Sequence, residues 1–371
     1  MAVLSHGNPN VRRRWLSAAR WHRKRGIAAC HSTLYFALAC FVAVIYFCSS
    51  LATNVGGATR GPSGPLRGYN AAPQAVHVNG IRSKYAFATL LYGSTQELEY
   101  EDDNYLIATR ILAYQLLHAP ETRLRNPDIP FLVLVTSNVK ESARDRLRKD
   151  GATVIEVPQL DADWLAPGKL TWSKTMTKLR LWELVDFDRI AFLDADHLLV
   201  RPMDDIFSDP AVEEQVTKPS DTIDVTAPLP STYVFAGNND YMHIPRKNEQ
   251  PWHYDGNLCA GFFVIKPDVD LLRHYISFLQ QPGSFDSALP EQNLLNVVHH
   301  WKGRVPWKQL NHSINIYSPA MYDIDYGARS VHEKWWEGRS PAIKEWMKER
   351  RWKMEGFFEA RDLAVASKTR W

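Results

Sequence analysis

From Tyr85 onward, short apolar runs alternate with longer stretches of helical periodicity. Tyr85-Ala-Phe-Ala-Thr-Leu-Leu-Tyr92, Phe131-Leu-Val-Leu-Val-Thr136 and Thr153-Val-Ile-Glu-Val157 read as strands, as do Ile190–Leu193, Gly261-Phe-Phe-Val-Ile265 and Ala328–His332. Between the first two strands, Asp102-Asp103 opens a helix through Ile107, Ile111, Leu112, Leu116 and Leu117. The same spacing predicts helices near Ser142–Lys149, Thr175–Val185, Val269–Leu279 and Gln292–His300. Strands alternating with helices, and apolar on both faces, predict an α/β fold with a mostly parallel sheet flanked by helices. Residues 208–256 are polar and proline-rich, and read as one long loop.

The ends of the chain differ from this middle. Residues 1–26 carry Arg12, Arg13, Arg14, Arg20, Arg23, Lys24 and Arg25 with no acid. Residues 27–52 hold no formally charged side chain and have an apolar centre from Leu34 to Phe47, enough for a spanning helix of about 20 residues. The basic flank would stay cytoplasmic and the rest would lie across the membrane. A cleaved signal peptide or an Arg-rich transit peptide is the alternative. Residues 53–80 are rich in Gly, Pro, Asn and Ala and read as a stalk. A catalytic domain over 81–340 follows, and then an extension over 341–371. The extension's Trp346, Met347, Trp352, Met354, Phe357 and Phe358 predict a helix packed back on the domain or lying on a membrane surface.

The net charge of +3 conceals an asymmetry. No acid precedes Glu97, and residues 1–84 hold 11 of the 44 Lys and Arg, so the remainder carries 33 basic against 41 acidic residues. A mildly acidic folded part argues against nucleic acid as partner. Three of the four cysteines, Cys30, Cys40 and Cys48, lie in or beside the apolar N-terminal segment. Only Cys259 remains for the globular part, which therefore has no internal disulfide and no CxxC metal site.

The candidate chemistry sits at Phe192-Leu-Asp194-Ala-Asp196. The bare Asp-x-Asp triplet says little, because it occurs five times in the chain. Only this one directly follows an uncharged apolar run. Two acids spaced so on extended backbone share a face, and both reach one hard cation at the C-terminal end of a strand, where open α/β sheets place ligands.

From here the order of motifs resembles glycosyltransferase family 8, the glycogenin-like retaining transferases, over roughly Tyr85 to Trp336. Ala86-Phe-Ala-Thr89-Leu resembles the family's first strand, whose end meets the nucleotide base. Thr175-Met-Thr-Lys178-Leu-Arg-Leu-Trp182 resembles its donor-binding lysine segment. Phe192-Leu-Asp194-Ala-Asp196, with Val200 and Asp204-Asp-Ile-Phe207, is similar to its metal motif and following turn. Cys259-Ala-Gly261-Phe-Phe-Val264, Glu291-Gln292-Asn-Leu-Leu-Asn296 and Val331-His332-x-Lys334-Trp335 resemble three further elements in the family's order.

The resemblance implies a GT-A type, Rossmann-like sheet and a UDP-sugar donor. Its implied Mn²⁺ ligands are Asp194, Asp196 and His332, since carboxylates with one imidazole suit Mn²⁺ better than Ca²⁺. Lys178 and Gln292 join the two acids as implied catalytic residues. The implied donor-binding set is Thr89, Leu91, Lys178, Ala195, Asn257, Cys259, Ala260, Glu291, Gln292 and Lys334. Cys259 replaces the family's usual asparagine, with Asn257 nearby, and Glu291 replaces its aspartate. These positions touch the donor sugar, so glucose, galactose, N-acetylglucosamine and glucuronic acid all stay open. Ser313-Ile-Asn-Ile-Tyr317-Ser-Pro319 resembles the region that carries the self-glucosylated tyrosine of glycogenin-type members, with proline at that tyrosine's place. Together with the anchor, this implies a glycan or glycoprotein acceptor in the Golgi lumen and a single-pass type II membrane protein. Asn311-His-Ser313 is a glycosylation sequon compatible with that compartment. Two alternatives are a degenerate member that only binds glycan or nucleotide, and a haloacid-dehalogenase-type phosphatase. The phosphatase would want its acids on the first strand and a small or hydroxyl residue where His197 stands.

Overall fold

The computed structural model describes residues 73–80, 82–93, 100–219, 227–239, 257–338 and 340–368. The basic tail, the expected anchor at 27–52 and most of the stalk lie outside the described residues. No helix among the described residues is long and apolar enough to cross a membrane.

In chain order the strands are β1 Tyr85–Leu91, β2 Phe131–Val135, β3 Thr153–Glu156, β4 Arg189–Leu193, β5 His197–Leu199, β6 Gln215–Val216, β7 Thr232–Tyr233, β8 Phe235–Asn238, β9 Cys259–Ile265, β10 Lys308–Gln309, β11 Ile316–Tyr317 and β12 Ser330–His332. The α-helices are α1 Asn104–Leu117, α2 Glu141–Asp150, α3 Val269–Leu279, α4 Pro290–Val298, α5 Met321–Asp325 and α6 Pro341–Lys368. The main sheet runs β10-β8-β9-β4-β1-β2-β3. It is mostly parallel, as expected, with one reversed strand inside it: β9 runs antiparallel to both β4 and β8. β8 was hidden in the polar stretch read as loop. It is only four residues long, and its Gly237 and Asn238 sit at a register shift.

The unbroken apolar strands follow from burial on both faces. In β1, Ala86, Ala88 and Leu90 enter one core cluster, while Phe87 and Leu91 enter the other. β4 divides in the same way, Ile190 and Phe192 against Ala191 and Leu193. Each large side chain removed from water here contributes about 1.5–3 kcal/mol. α1 is buried nearly all round. The Asp103 side chain caps it by accepting from the Leu106 N–H at 3.0 Å. Leu106, Leu112 and Leu116 then face the sheet, while Ile107, Ile111 and Tyr114 meet α6. α6 answers with Ile343, Met347, Met354 and Phe358, all buried at helical spacing. A fully buried Asp150 ties these helices together, accepting from Arg110 Nε at 2.6 Å and Arg361 Nη2 at 3.3 Å.

The helix expected over Thr175–Val185 is a 3₁₀ helix over Thr175–Glu183 with every residue buried. A second, three-stranded sheet, β11-β12-β5, begins where β4 ends. β4 and β5 are separated only by residues 194–196, so the polypeptide passes from one sheet to the other through the candidate acids.

Candidate active site

β4 lies at the centre of the main sheet, between parallel β1 and antiparallel β9. Its backbone leaves the sheet at Asp194, whose N–H donates to the Gly261 carbonyl at 2.9 Å. His197 N–H then returns to the Asp194 carbonyl at 3.0 Å, which closes a turn over 194–197. The two acids therefore occupy the first and third positions of a turn, and do not share a face of extended backbone as expected. The turn aims both at the gap between the sheets, with Ala195 buried inside it.

Antiparallel pairing of β12 with β5 sets His332 opposite His197 and brings its imidazole into that gap. His332 Nε2 lies 3.2 Å from Asp196 Oδ1 and 3.9 Å from Asp194 Oδ2. On the other side of Asp194, Lys178 Nζ stands 2.8 Å from Oδ1. The same ammonium donates to Glu291 Oε1 at 2.7 Å and to the Ala260 carbonyl at 3.4 Å, and it lies over the Phe192 ring. Gln292 Oε1 accepts from the Ala260 N–H at 3.0 Å, which fixes the start of β9 against α4. Because β9 is antiparallel to β4, its first residues, Cys259 to Gly261, meet the end of β4 that carries the acids.

Charges in this cluster constrain each other. Burial disfavours a charged Lys178, but Asp194 and Glu291 outweigh it and raise its pKa, so it is a permanent cation. Burial pushes the Asp194 carboxyl up, with Lys178 pulling the other way. Burial also opposes the charged form of His332, yet Asp196 holds its pKa well above the usual imidazole range. Asp196 is correspondingly lowered: burial opposes, and His332 is the strongest pull. Two carboxylates facing one imidazole nitrogen thus demand a positive charge between them.

A divalent ion fits that demand. Ligands about 2.1 Å from a small octahedral cation sit about 3 Å apart, close to the His332–Asp196 separation. Asp194 Oδ2 stands farther off, at 3.9 Å from His332 Nε2. Asp196, His197 and His332 also present ligand atoms within 4.8 Å of one another. His197 Nε2 is engaged with Asn315 Oδ1 at 2.9 Å, its Nδ1 is buried without a hydrogen-bond partner, and its ring stacks on His332 at 4.5 Å and 22°. The sequence-derived set has Asp194 in place of His197, which here stacks as a wall against His332. A second wall is Gly261. A Cβ at this position would meet His332 Cε1 at 2.3 Å and Nδ1 at 2.5 Å, so the imidazole occupies the space a side chain would take.

The other sequence-derived candidates fall at different distances from the acids. Lys334 is partly exposed, sits 3.7 Å from Glu337, and still contributes to lowering Asp196. Cys259 and Ala260 are buried at the head of β9, while Asn257 is exposed just before it. Thr89 and Leu91 are buried in β1, Thr89 with its hydroxyl unpartnered. An aromatic wall was missed. Tyr92 and Tyr105 lie 6.4 Å apart between ring centroids, and Tyr105 meets Trp336 edge-on at 5.1 Å. Burial, reinforced by Asp194, pushes the Tyr92 hydroxyl up to about 12, and Tyr105 is raised by burial and then Asp196. Both rings therefore border the acids. The available signal was positional: one tyrosine directly follows the first strand and the other opens the next helix. His197, Asn315 and the packing role of Gly261 were also missed, because they act through contacts between distant segments.

No protein-family model matches the chain. The uncharacterized protein C4C3.09 of Schizosaccharomyces pombe is 31% identical over 281 residues, covering 68% of this chain and 73% of that one. Glycogenin-1 of Oryctolagus cuniculus is 28% identical over 214 residues, 54% of this chain and 53% of that one. The apo form of the glycosyltransferase GlyE of Streptococcus pneumoniae TIGR4 superposes with a TM-score of 0.44 at 12% identity, over 76% of this chain and 64% of that one. The chain belongs to the family of C4C3.09, and its similarity to glycogenin supports a glycosyltransferase family.

Proposed function

We propose that this protein is a metal-dependent, retaining glycosyltransferase of GT-A type. It transfers a hexose, N-acetylhexosamine or glucuronic acid from a UDP-sugar to a glycan or glycoprotein in the Golgi lumen, anchored as a single-pass type II protein through residues 27–52. The observation that carries this reading is the meeting of Lys178, Asp194, Asp196 and His332 at the C-terminal end of β4.

The reaction breaks the bond from the sugar's anomeric carbon to the diphosphate and forms one to an acceptor oxygen. The acceptor's proton leaves with the departing phosphate, and retention follows from attack on the face the diphosphate vacates. No side chain in the cluster is needed as a covalent nucleophile. Asp194, Asp196 and His332 would hold a Mn²⁺ ion, which when bound supplies charge neutralisation to the diphosphate. Lys178 holds Asp194 and Glu291 in fixed positions and keeps the local charge near neutral. Lys334 adds a point charge for phosphate. Gln292, tied to Ala260, presents its amide beside the donor sugar. Tyr92, Tyr105 and Trp336 keep water from the side of the site they border.

The test is UDP release by the full chain from UDP-glucose, UDP-galactose, UDP-N-acetylglucosamine and UDP-glucuronic acid, with Mn²⁺ and with EDTA. Release from one donor, abolished by EDTA, is expected. Undiminished release in EDTA, or none from any of the four, overturns the proposal.

A further inference from the structure

Tyr317 does not enter the reaction as described, yet it stands at the site. Its ring is 46% exposed and meets the His332 imidazole edge-on, centroids 5.8 Å apart at 75°. Parallel pairing of β11 with β12 sets Tyr317 in register with His332. An exposed tyrosine alone needs no explanation. This one is held in place at a cost. Asn315 and Ser318, with φ of 62° and 54°, are the two non-glycine residues with positive φ among the described residues, and they flank β11 on either side. Backbone of this kind is unfavourable for side chains other than glycine and persists where its surroundings over-determine it.

The surroundings here do so. Asn315 is fully buried, its Oδ1 bonded to His197 Nε2 at 2.9 Å and its N–H donating to Ser330 Oγ at 2.9 Å. Ile316 is fully buried as well. The histidine that backs His332 thus also locks the turn that delivers Tyr317, so the candidate metal ligand and the exposed ring form one rigid unit.

We propose that Tyr317 is the platform on which the acceptor's sugar ring stacks, which makes the acceptor a glycan. A pyranose has a face of C–H bonds carrying partial positive charge, and the face of an aromatic ring is its electrostatic complement. A flexible peptide hydroxyl offers no such face. Tyr317 is then a specificity-determining residue, and its phenol oxygen is not required. The inference rests on the transferase reading above.

The experiment is saturation-transfer NMR on the full chain with UDP and Mg²⁺, using methyl β-D-glucopyranoside and methyl β-D-galactopyranoside as probes. Wild type, Tyr317→Phe and Tyr317→Ala are compared, with UDP binding measured on the same samples. Transfer to ring C–H protons of at least one glycoside is expected in wild type and in Tyr317→Phe. It should weaken about 10- to 100-fold in Tyr317→Ala, with UDP still bound. Absence of transfer in wild type, undiminished transfer in Tyr317→Ala, or equal loss in both variants overturns the platform. Loss of UDP binding confined to Tyr317→Ala overturns it too, since the ring would then serve the nucleotide or the fold. Failure of wild type to bind UDP with either Mg²⁺ or Mn²⁺ overturns the transferase reading itself.

Discussion

Gly261→Ala is a one-carbon change that the site cannot absorb. The added Cβ would lie 2.3 Å from His332 Cε1 and 2.5 Å from Nδ1, where real contacts are never below about 3.0 Å. His332 cannot retreat, because the His197 ring lies parallel behind it. Overpacking of this kind costs about 1–3 kcal/mol, and displacing a metal-binding imidazole costs about 10- to 100-fold in affinity. Free Mn²⁺ followed by EPR during titration gives the affinity, and thermal unfolding gives the stability. Gly356→Ala is the control, since nothing lies within 4 Å of its Cβ position on α6. The cycle with His332→Ala isolates the cause. Gly261→Ala should destabilise wild type but leave His332→Ala nearly unchanged. Mn²⁺ affinity equal to wild type in Gly261→Ala, or equal destabilisation in both backgrounds, refutes the reasoning.

Three other outcomes follow from the same structure. Lys178→Met leaves Asp194 and Glu291 facing each other without their cation; donor turnover should fall about 10²- to 10³-fold, and unfolding by urea should show a loss of about 3–5 kcal/mol. Asp150→Ala removes the shared partner of Arg110 and Arg361; a similar loss is expected, with faster proteolytic release of α6, and unchanged protection of α6 would contradict it. His299 is buried, donates to the Val305 carbonyl and accepts from the Tyr275 hydroxyl, and burial pushes its pKa down to about 3. Above pH 6.5 it is neutral folded and unfolded alike; below that the unfolded chain takes up a proton and the folded one does not, so stability is lost between pH 6.5 and about 3, reaching about 2 kcal/mol by pH 5. His299→Gln should lose less stability than wild type between pH 7 and pH 5.

What the chain reveals without its structure depends on the range of the interaction. β1, β2, β4 and β9 were legible because continuous apolar runs are the local signature of strands buried on both faces. The end of β4 at Asp194 was legible for the same reason. The direction of β9 was not, since a strand's composition does not say whether its neighbour runs with it or against it. β8 failed on length, and on its Gly237 and Asn238, which imitate a loop. The 3₁₀ geometry of Thr175–Glu183 was hidden because apolar spacing reports a helix without saying whether its hydrogen bonds span three residues or four. At the site, Asp194 and Asp196 were picked out by their place after an uncharged apolar run, and Lys178 and His332 through resemblance to a family. Gly261 as a slot, His197 as a wall and Asn315 as a lock were not, because each acts on a residue 70 or more positions away in sequence.

The most direct measurement of the central claim is calorimetric titration of UDP into the full chain, with Mn²⁺, with EDTA, and with Asp196→Ala in Mn²⁺. The cluster at the end of β4 requires UDP to bind with Mn²⁺ and to lose at least about 100-fold in affinity on chelation and in the variant. UDP binding that is indifferent to both, or no binding at all, would contradict the assignment of Asp194, Asp196 and His332 to a metal–diphosphate site.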